Sequence, residues 1–319
     1  MDNKNTIEDY LSEKEWGLTP PSLYLPIRYL MSLGGKRLRP MLTLMSYSLF
    51  KNDVARIMQY AAAVEVFHNF TLMHDDIMDK APLRRGKKTV HEKWNVNTAI
   101  LSGDVMLVKV YEIFSSLEPK LLKAVLNLFN ACATQVCEGQ QLDMEFEKRK
   151  TVSTAEYLEM VRLKTAVLLG FSLELGALLA GAKAKEKMAL RNLGINLGIG
   201  FQLNDDLLDV YGDKKKFGKQ VGGDIISNKK TFLLIRSLEH ANGKDKSELL
   251  KWINARSFGK AKKVKAVTAL YDKLNIPAIT KAEINTYFSK GLNSLSALPA
   301  SANRDKLGQF IFSLMKRQK

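Results

Sequence analysis

The 319-residue sequence is poor in cysteine, histidine and proline, with two, four and eight of them respectively. Cys132 and Cys137 stand five apart in a helix-like stretch with no His or Cys companion, which supports neither a disulfide framework nor a zinc site and points to a reducing compartment. No Pro/Gly/Ser-rich linker interrupts the chain, so residues 1–319 read as one domain. The longest weakly charged run, Thr165 to Ala182, carries Glu174 near its centre, as a buried helix can and a membrane span rarely does. Residues 1–15 are rich in Asp, Glu and Lys and lack the apolar core of a secretory signal, so a cytoplasmic location is expected. Also missing are a G-x-x-x-x-G-K-[ST] loop, an H-E-x-x-H pair and a dinucleotide fingerprint after a strand.

What the chain has is apolar content, positive charge and helical periodicity. Hydrophobic residues make up 46% and charged residues 26%, which excludes disorder, collagen and small disulfide scaffolds. Lysine and arginine number 49 against 33 aspartates and glutamates, a formal charge of +16. Such a surplus suits a polyanionic partner: nucleic acid, an anionic membrane or a phosphorylated small molecule. Leu101, Val105, Val108 and Ile113 recur at helix spacing, as do Leu158, Val161, Val167 and Phe171, and sustained alternation of period two is absent. Breakers at Pro20–Pro21, Gly34–Gly35, Pro82, Gly86, Pro119, Gly181, Gly222–Gly223, Pro277 and Pro299 cut the chain into about ten helices. The expected fold is an all-α bundle, whose interior is where such proteins place metal and cofactor sites.

Two segments are wrong for a core. Residues 68–79, HNFTLMHDDIMD, and residues 201–209, FQLNDDLLD, each place Asp-Asp-x-x-Asp in an apolar helical stretch. Asp75 and Asp79 are four apart, as are Asp205 and Asp209, so each pair shares a helix face about 6 Å apart along the axis. Like charges so placed repel unless a cation lies between them. Hard oxygen ligands suit Mg²⁺, which keeps some waters and takes other ligands from substrate phosphates. A single cluster of this kind also reads as an ordinary solvated helix face; the pattern occurs twice, among apolar neighbours. Basic groups accompany it at Gly-flanked turns: GGKRLRP at 34–40, LRRG at 83–86, FGKQVGGDI at 217–225 and KKT at 229–231, with Lys164-Thr165 inside a helix. Arginine forks and lysine point charges are the side chains that grip diphosphates.

In these motifs and their order the chain resembles the trans-isoprenyl diphosphate synthase family, from Gly34 into the C-terminal third. The resemblance implies the isoprenoid synthase fold with a central cavity, a homodimer, and Mg²⁺-dependent condensation of isopentenyl diphosphate with an allylic diphosphate. It implies three Mg²⁺, with Asp75, Asp79 and Asp205 as ligands and Asp76, Asp206 and Asp209 in support. Lys36, Arg39, His68 and Arg85 would hold isopentenyl diphosphate, and Arg84, Lys164, Lys219 and Lys229 the allylic diphosphate. Thr165, Gln202 and the carbonyl of Lys164 would stabilise the carbocation by their oxygen dipoles, while released diphosphate serves as base. Phe70 and Thr71, one turn before Asp75, would set chain length, with an aromatic there resembling synthases of the C20 geranylgeranyl product and the C15 farnesyl product as runner-up. A class I terpene cyclase, a non-catalytic regulatory subunit and a nucleic-acid-binding protein are the competing readings. The second DDLLD and GGKRLRP argue against a cyclase, and the completeness of both motifs argues against a regulatory subunit. Aromatic platforms interleaved with the basic groups, which nucleic-acid binding would call for, are missing.

Overall fold

A computed structural model describes residues 3–212 and 222–316. Along the chain it contains α1 (Asn3–Glu13), α2 (Pro21–Ser32), α3 (Leu38–Ser48), α4 (Met58–Met78), a hairpin of β1 (Leu83–Arg84) and β2 (Lys87–Lys88), α5 (Val90–Lys93), α6 (Val96–Ser115) and α7 (Pro119–Lys148). There follow α8 (Thr154–Val161), a π-turn at Arg162–Ala166, α9 (Val167–Leu179), α10 (Ala184–Tyr211), α11 (Gly223–Ser227) and α12 (Phe232–His240). The last elements are α13 (Gly243–Asn254), α14 (Lys260–Lys273), α15 (Ile276–Ser294) and α16 (Ala302–Lys316). The all-α expectation holds, but about ten helices was too few. The additional breaks fall before Ser153, at Ala241–Asn242 and at Ala255–Gly259, where there is no Pro or Gly pair. At the first, Ser153 and Glu156 form a reciprocal capping box that satisfies two orphan N–H groups and starts a helix there.

The described chain groups into two compact units. Unit 1 comprises Met1–Cys132, Phe171–Arg191 and Leu298–Leu307, and unit 2 comprises Ala133–Gly170, Asn192–Ala297 and Gly308–Lys319.

Unit 1 is built around α4, whose first half, Ala61 to Phe67, is buried on every side. Phe67, Phe114 and Phe171 surround Phe129 with ring centroids 5.0, 5.3 and 5.9 Å away, so edge-to-face contacts add to the burial of large apolar area. A β-carbon on Gly176 would stand 2.2 Å from the carbonyl oxygen of Thr43, so only glycine lets α9 approach α3 this closely. Glu174, in the run that looked almost long enough to span a bilayer, lies 3.7 Å from Arg191. Among the described residues no helix is long and apolar enough to cross a membrane.

In unit 2, α7 and α10 both lie against the π-turn. A β-carbon on Gly139 would meet the backbone nitrogen of Lys164 at 2.2 Å, and one on Gly198 would meet Cα of Ala166 at 2.5 Å. The extra residue in that turn therefore sits between two bare stretches of backbone. Widened turns of this sort are frequent at functional sites, and this one carries Lys164 and Thr165.

Candidate active site

Unit 1 holds the first aspartate cluster. Periodicity sorts its members: Asp76 follows buried Met73 by three residues and is itself 2% exposed, whereas Asp75 is half-buried and Asp79 exposed. Asp79 does not lie inside the helix as expected; it is the C-cap of α4, its N–H donating to the carbonyl of Asp75 at 2.8 Å. Arg84 reaches back from the hairpin to Asp76, with Nε donating to both carboxylate oxygens at 3.0 and 2.8 Å and Nη2 lying 2.8 Å from Oδ1. Burial pushes the Asp76 carboxyl above its ordinary range, against the pull of Arg84. The Gly-flanked turn at 83–86 is thus part of a hairpin in which Leu83–Arg84 pairs with Lys87–Lys88. Arg85 and Gly86 both take positive φ, 52° and 74°, as the tight turn that matches strand twist requires.

That turn presents Arg85 to the glycine turn before α3: a β-carbon on Gly35 would sit 3.0 Å from Arg85 Nη2. Burial, then the charges of Arg39 and Arg85, hold the His68 imidazole well below its ordinary value. The Nε of Arg39 is buried with no hydrogen-bond partner among the described residues, and burial lowers the guanidinium pKa. A neutral imidazole beside the half-buried guanidinium of Arg39 and the exposed one of Arg85 can act as an anion cradle. Lys36 is exposed at its edge. Arg37, from the same motif, has a different task. It is 2% exposed and binds Glu8 at 2.9 Å, Glu65 at 2.8 Å and the carbonyl of Met31 at 2.9 Å, which locks the turn onto α1 and α4. Phe70 stacks edge-on to His74 at 4.7 Å and lies 5.6 Å from Phe67, and Thr71 donates to the carbonyl of His68.

Unit 2 holds the second cluster, sorted the same way. Asp206 is 5% exposed, three residues after buried Leu203, while Asp205 is exposed. The Asp206 carboxylate accepts from Tyr157 Oη at 2.5 Å, from the backbone N–H of Phe232 at 3.1 Å and from Gln202 Nε2 at 3.2 Å. Burial outweighs these donors and pushes its pKa up to about 6. Asp209 accepts from the N–H of Asp224 at 3.0 Å at the start of α11, and Thr231 caps α12. A small cavity brings together Lys164, Thr165, Gln202, Asp206 and Lys229 with Tyr157. Lys219 lies outside the described residues.

A residue that sequence reasoning missed lies in the same cavity. Asp143 of α7 pairs with Lys164 Nζ at 2.7 Å and lies 3.9 Å from Lys229 Nζ. Burial works to raise its pKa, but Lys229 and Lys164 overcome that and hold the carboxyl below the ordinary value. The available signal was the segment Gly139-Gln140-Gln141-Leu142-Asp143: a glycine that makes room for the π-turn, Gln140 with a buried, unpartnered Nε2, and an acid one turn after Gly139.

Each of these two clusters, taken within its own unit, fits diphosphate chemistry, and comparison with known proteins agrees. A family model for polyprenyl synthetase matches residues 20–271. The chain belongs to the polyprenyl synthetase family. It is 46% identical over 236 residues to a geranylgeranyl pyrophosphate synthase of Geoglobus acetivorans, covering 73% of this chain and 72% of that one. It is 36% identical over 255 residues to a geranylfarnesyl diphosphate synthase of Natronomonas pharaonis, 74% of each chain. The crystal structure of a geranylgeranyl pyrophosphate synthase matches 98% of this polyprenyl synthetase and 97% of its own chain, with a TM-score of 0.94 at 43% identity. The enzyme class is therefore isoprenyl diphosphate synthase.

Proposed function

We propose that this polyprenyl synthetase condenses isopentenyl diphosphate with an allylic diphosphate and that its principal product is geranylgeranyl diphosphate. The observation that carries the reading is the division of labour in each aspartate motif: the middle acid is buried and fully engaged, and an outer acid is left accessible. The family model and the names of the relatives support the same chemistry, and the relatives' products favour C20.

The donor set fits divalent magnesium, with hard carboxylate oxygens on exposed Asp79 and Asp205 and on half-buried Asp75. Among the described residues no three acidic, His or Cys side chains gather into a cage, in keeping with an ion that completes its shell from phosphate and water. Bound there, Mg²⁺ supplies positive charge to the diphosphate leaving group. Asp76 and Asp206 act as anchors. Asp76 fixes Arg84, whose Nη1 is left for the allylic diphosphate, and Asp206 fixes Gln202. Lys164 and Lys229 bind the same diphosphate, and Asp143 holds both ammonium groups in place before substrate arrives. The π-turn directs Thr165, and α10 directs Gln202, whose Oε1 accepts from Thr165 Oγ1 at 3.4 Å, toward developing positive charge. Their oxygen dipoles stabilise it without competing for it as bases. Arg39, Arg85 and neutral His68 hold isopentenyl diphosphate, with Lys36 at the rim. Phe70 and Thr71 limit the growing chain.

A homodimer acting in the cytoplasm completes the proposal. Val96, Ile100, Leu101, Val108 and Tyr111 on α6 are 39–58% exposed, an apolar face that a second copy would cover. The decisive assay supplies purified protein and Mg²⁺ with isopentenyl diphosphate and the C5, C10 or C15 primer, and reads chain lengths by mass. C20 is expected from each primer. No elongation from any of the three would overturn the proposal.

A further inference from the structure

One basic region of unit 1 holds three lysines that have no part in the assignments above. Lys87, Lys88 and Lys93 line an open cleft of about 610 Å³ together with Arg85 and Tyr29. None of the four cations has a carboxylate at ion-pair distance among the described residues, although ion pairs are frequent elsewhere on the chain. Lys87, Lys88 and Lys93 are exposed like charges on one cleft, and an anion bound there offsets their mutual repulsion.

The cleft is also built. Lys93 Nζ stands 3.7 Å from the Tyr29 ring centre and 4.7 Å from that of Trp94, and the two rings meet edge-on at 5.3 Å. Tyr29 is fixed in turn by its hydroxyl, which donates to the carbonyl of Lys88 at 2.8 Å. The aromatic faces hold the ammonium without consuming its N–H donors, and Lys93 has no hydrogen-bond acceptor among the described residues. At the inner edge lies Arg85, the guanidinium that also packs on Gly35 in the anion cradle.

We propose that this cleft is an outer diphosphate station: Lys87, Lys88 and Lys93 take up the diphosphate group of a small-molecule substrate and pass it by way of Arg85 to the Arg39–His68 cradle. The identity of the substrate as isopentenyl diphosphate rests on the function proposed above; the affinity of the cleft for a diphosphate group does not. A concave site of this size suits a compact dianion or trianion, whereas a membrane surface calls for a convex patch with apolar anchors.

The test uses the whole protein and inorganic pyrophosphate in Mg²⁺-free buffer at low salt. Pyrophosphate is expected to change Trp94 emission, with W94F identifying that signal, and the triple variant K87Q/K88Q/K93Q is expected to need at least about tenfold more pyrophosphate for the same change. In turnover, the triple variant is expected to lose about tenfold in kcat/KM for isopentenyl diphosphate at about 20 mM salt and less than about twofold at about 500 mM, where screening shortens the reach of charge to a few Å. Should the triple variant lose helix content, K87Q/K88Q, which keeps the Lys93 clamp, carries the same comparison with a smaller loss. A triple variant that titrates like wild type and matches it at both salts overturns the station and leaves the condensation activity standing. A protein that elongates no primer yet shows the Trp94 titration sinks the activity and leaves the station. Loss of binding to phosphatidylglycerol vesicles with pyrophosphate titration intact overturns the station in favour of a membrane contact.

Discussion

The two aspartate motifs have the same letters and different supports. In unit 1 the buried member, Asp76, is gripped by a charged group, the fork of Arg84. In unit 2 the buried member, Asp206, is gripped by three neutral donors, from Tyr157, Gln202 and the backbone of Phe232. Burial is the largest influence on both carboxyls and raises both; what differs is that the partner of Asp76 brings a cation to the rim of its site, whereas the hydrogen-bond donors to Asp206 bring none and its carboxyl stands near pKa 6. One motif therefore adds fixed positive charge to its half-site, and the other adds a rigid polar floor.

The largest effect should follow from disturbing what the two motifs share. Asp75→Ala or Asp205→Ala removes an accessible oxygen donor and is expected to lower kcat by about a thousandfold or more, with melting temperature nearly unchanged, because transition-state charge stabilisation is lost and packing is not. Circular dichroism melts beside steady-state kinetics separate the two. A large loss of stability in either variant would break the division between working and anchoring acids.

The next effect separates the motifs. Asp76→Ala strands the Arg84 guanidinium, and a broken, mostly buried pair costs about 3 kcal/mol; because Arg84 is 24% exposed, the expectation is nearer ~2 kcal/mol. Tyr157→Phe removes one donor to a carboxylate, about 1.5–3 kcal/mol. The pH dependence carries the sharper distinction. With its pKa raised from 3.8 to about 6, Asp206 keeps a proton in the folded chain where the unfolded chain has released it. The stability it contributes is thus fully present below about pH 4 and lost as pH rises through about 6. Urea unfolding in Mg²⁺-free buffer should show this loss, of order ~3 kcal/mol, and Asp206→Asn should abolish it. Equal slopes in wild type and Asp206→Asn would remove the distinction between the two anchors.

The legible part of this enzyme was the part written in contiguous residues. Both acidic pairs, the glycine turns and the helical class follow from spacing along one stretch of chain. Even the burial of Asp76 and Asp206 was available, since each stands three residues after an apolar position on the core face, Met73 and Leu203. What stayed hidden depends on partners far apart in sequence. Arg37 and Arg39 belong to one basic motif, but Glu8, 29 residues upstream of Arg37, makes the first a structural ion pair, and the lack of such a partner leaves the second for anions. Asp143 is one acid among Glu138, Glu145 and Glu147, and only the fold shows that it alone faces two lysines. The π-turn leaves the apolar periodicity nearly intact over five residues, so its signal lies on the other helices, in Gly139 and Gly198.

A smaller effect tests the floor beneath the first motif, which has no counterpart proposed in unit 2. Phe70→Ala vacates the volume between His74 and Phe67 and should shift the product distribution by one or more isoprene units, with kcat changed by less than about tenfold, since no group that stabilises charge is touched. Mass analysis of the products reads it directly. An unchanged distribution would take Phe70 out of that role and leave it as core.

The smallest expected effect is none at all, and it discriminates because Asp206 supplies a contrast. His68 is pushed well below its ordinary value of 6.5 by burial first and then by Arg39, Arg85, Arg84 and Arg37. Arginine stays charged across the accessible pH range, so this electrostatic load cannot be titrated away. The His68 ring should therefore show no protonation shift in carbon- or nitrogen-detected NMR between about pH 8 and pH 5.5, a window centred near the free histidine value. The sign for stability is opposite to that of Asp206: the unfolded chain takes up a proton at His68 below 6.5 and the folded chain does not, so stability falls as pH falls through that value. His68→Gln keeps a neutral polar group in place and should remove that loss. A His68 ring that titrates near 6.5 would mean that the guanidinium groups around it are already neutralised, and the reading of Arg39, His68 and Arg85 as an anion cradle would go with it.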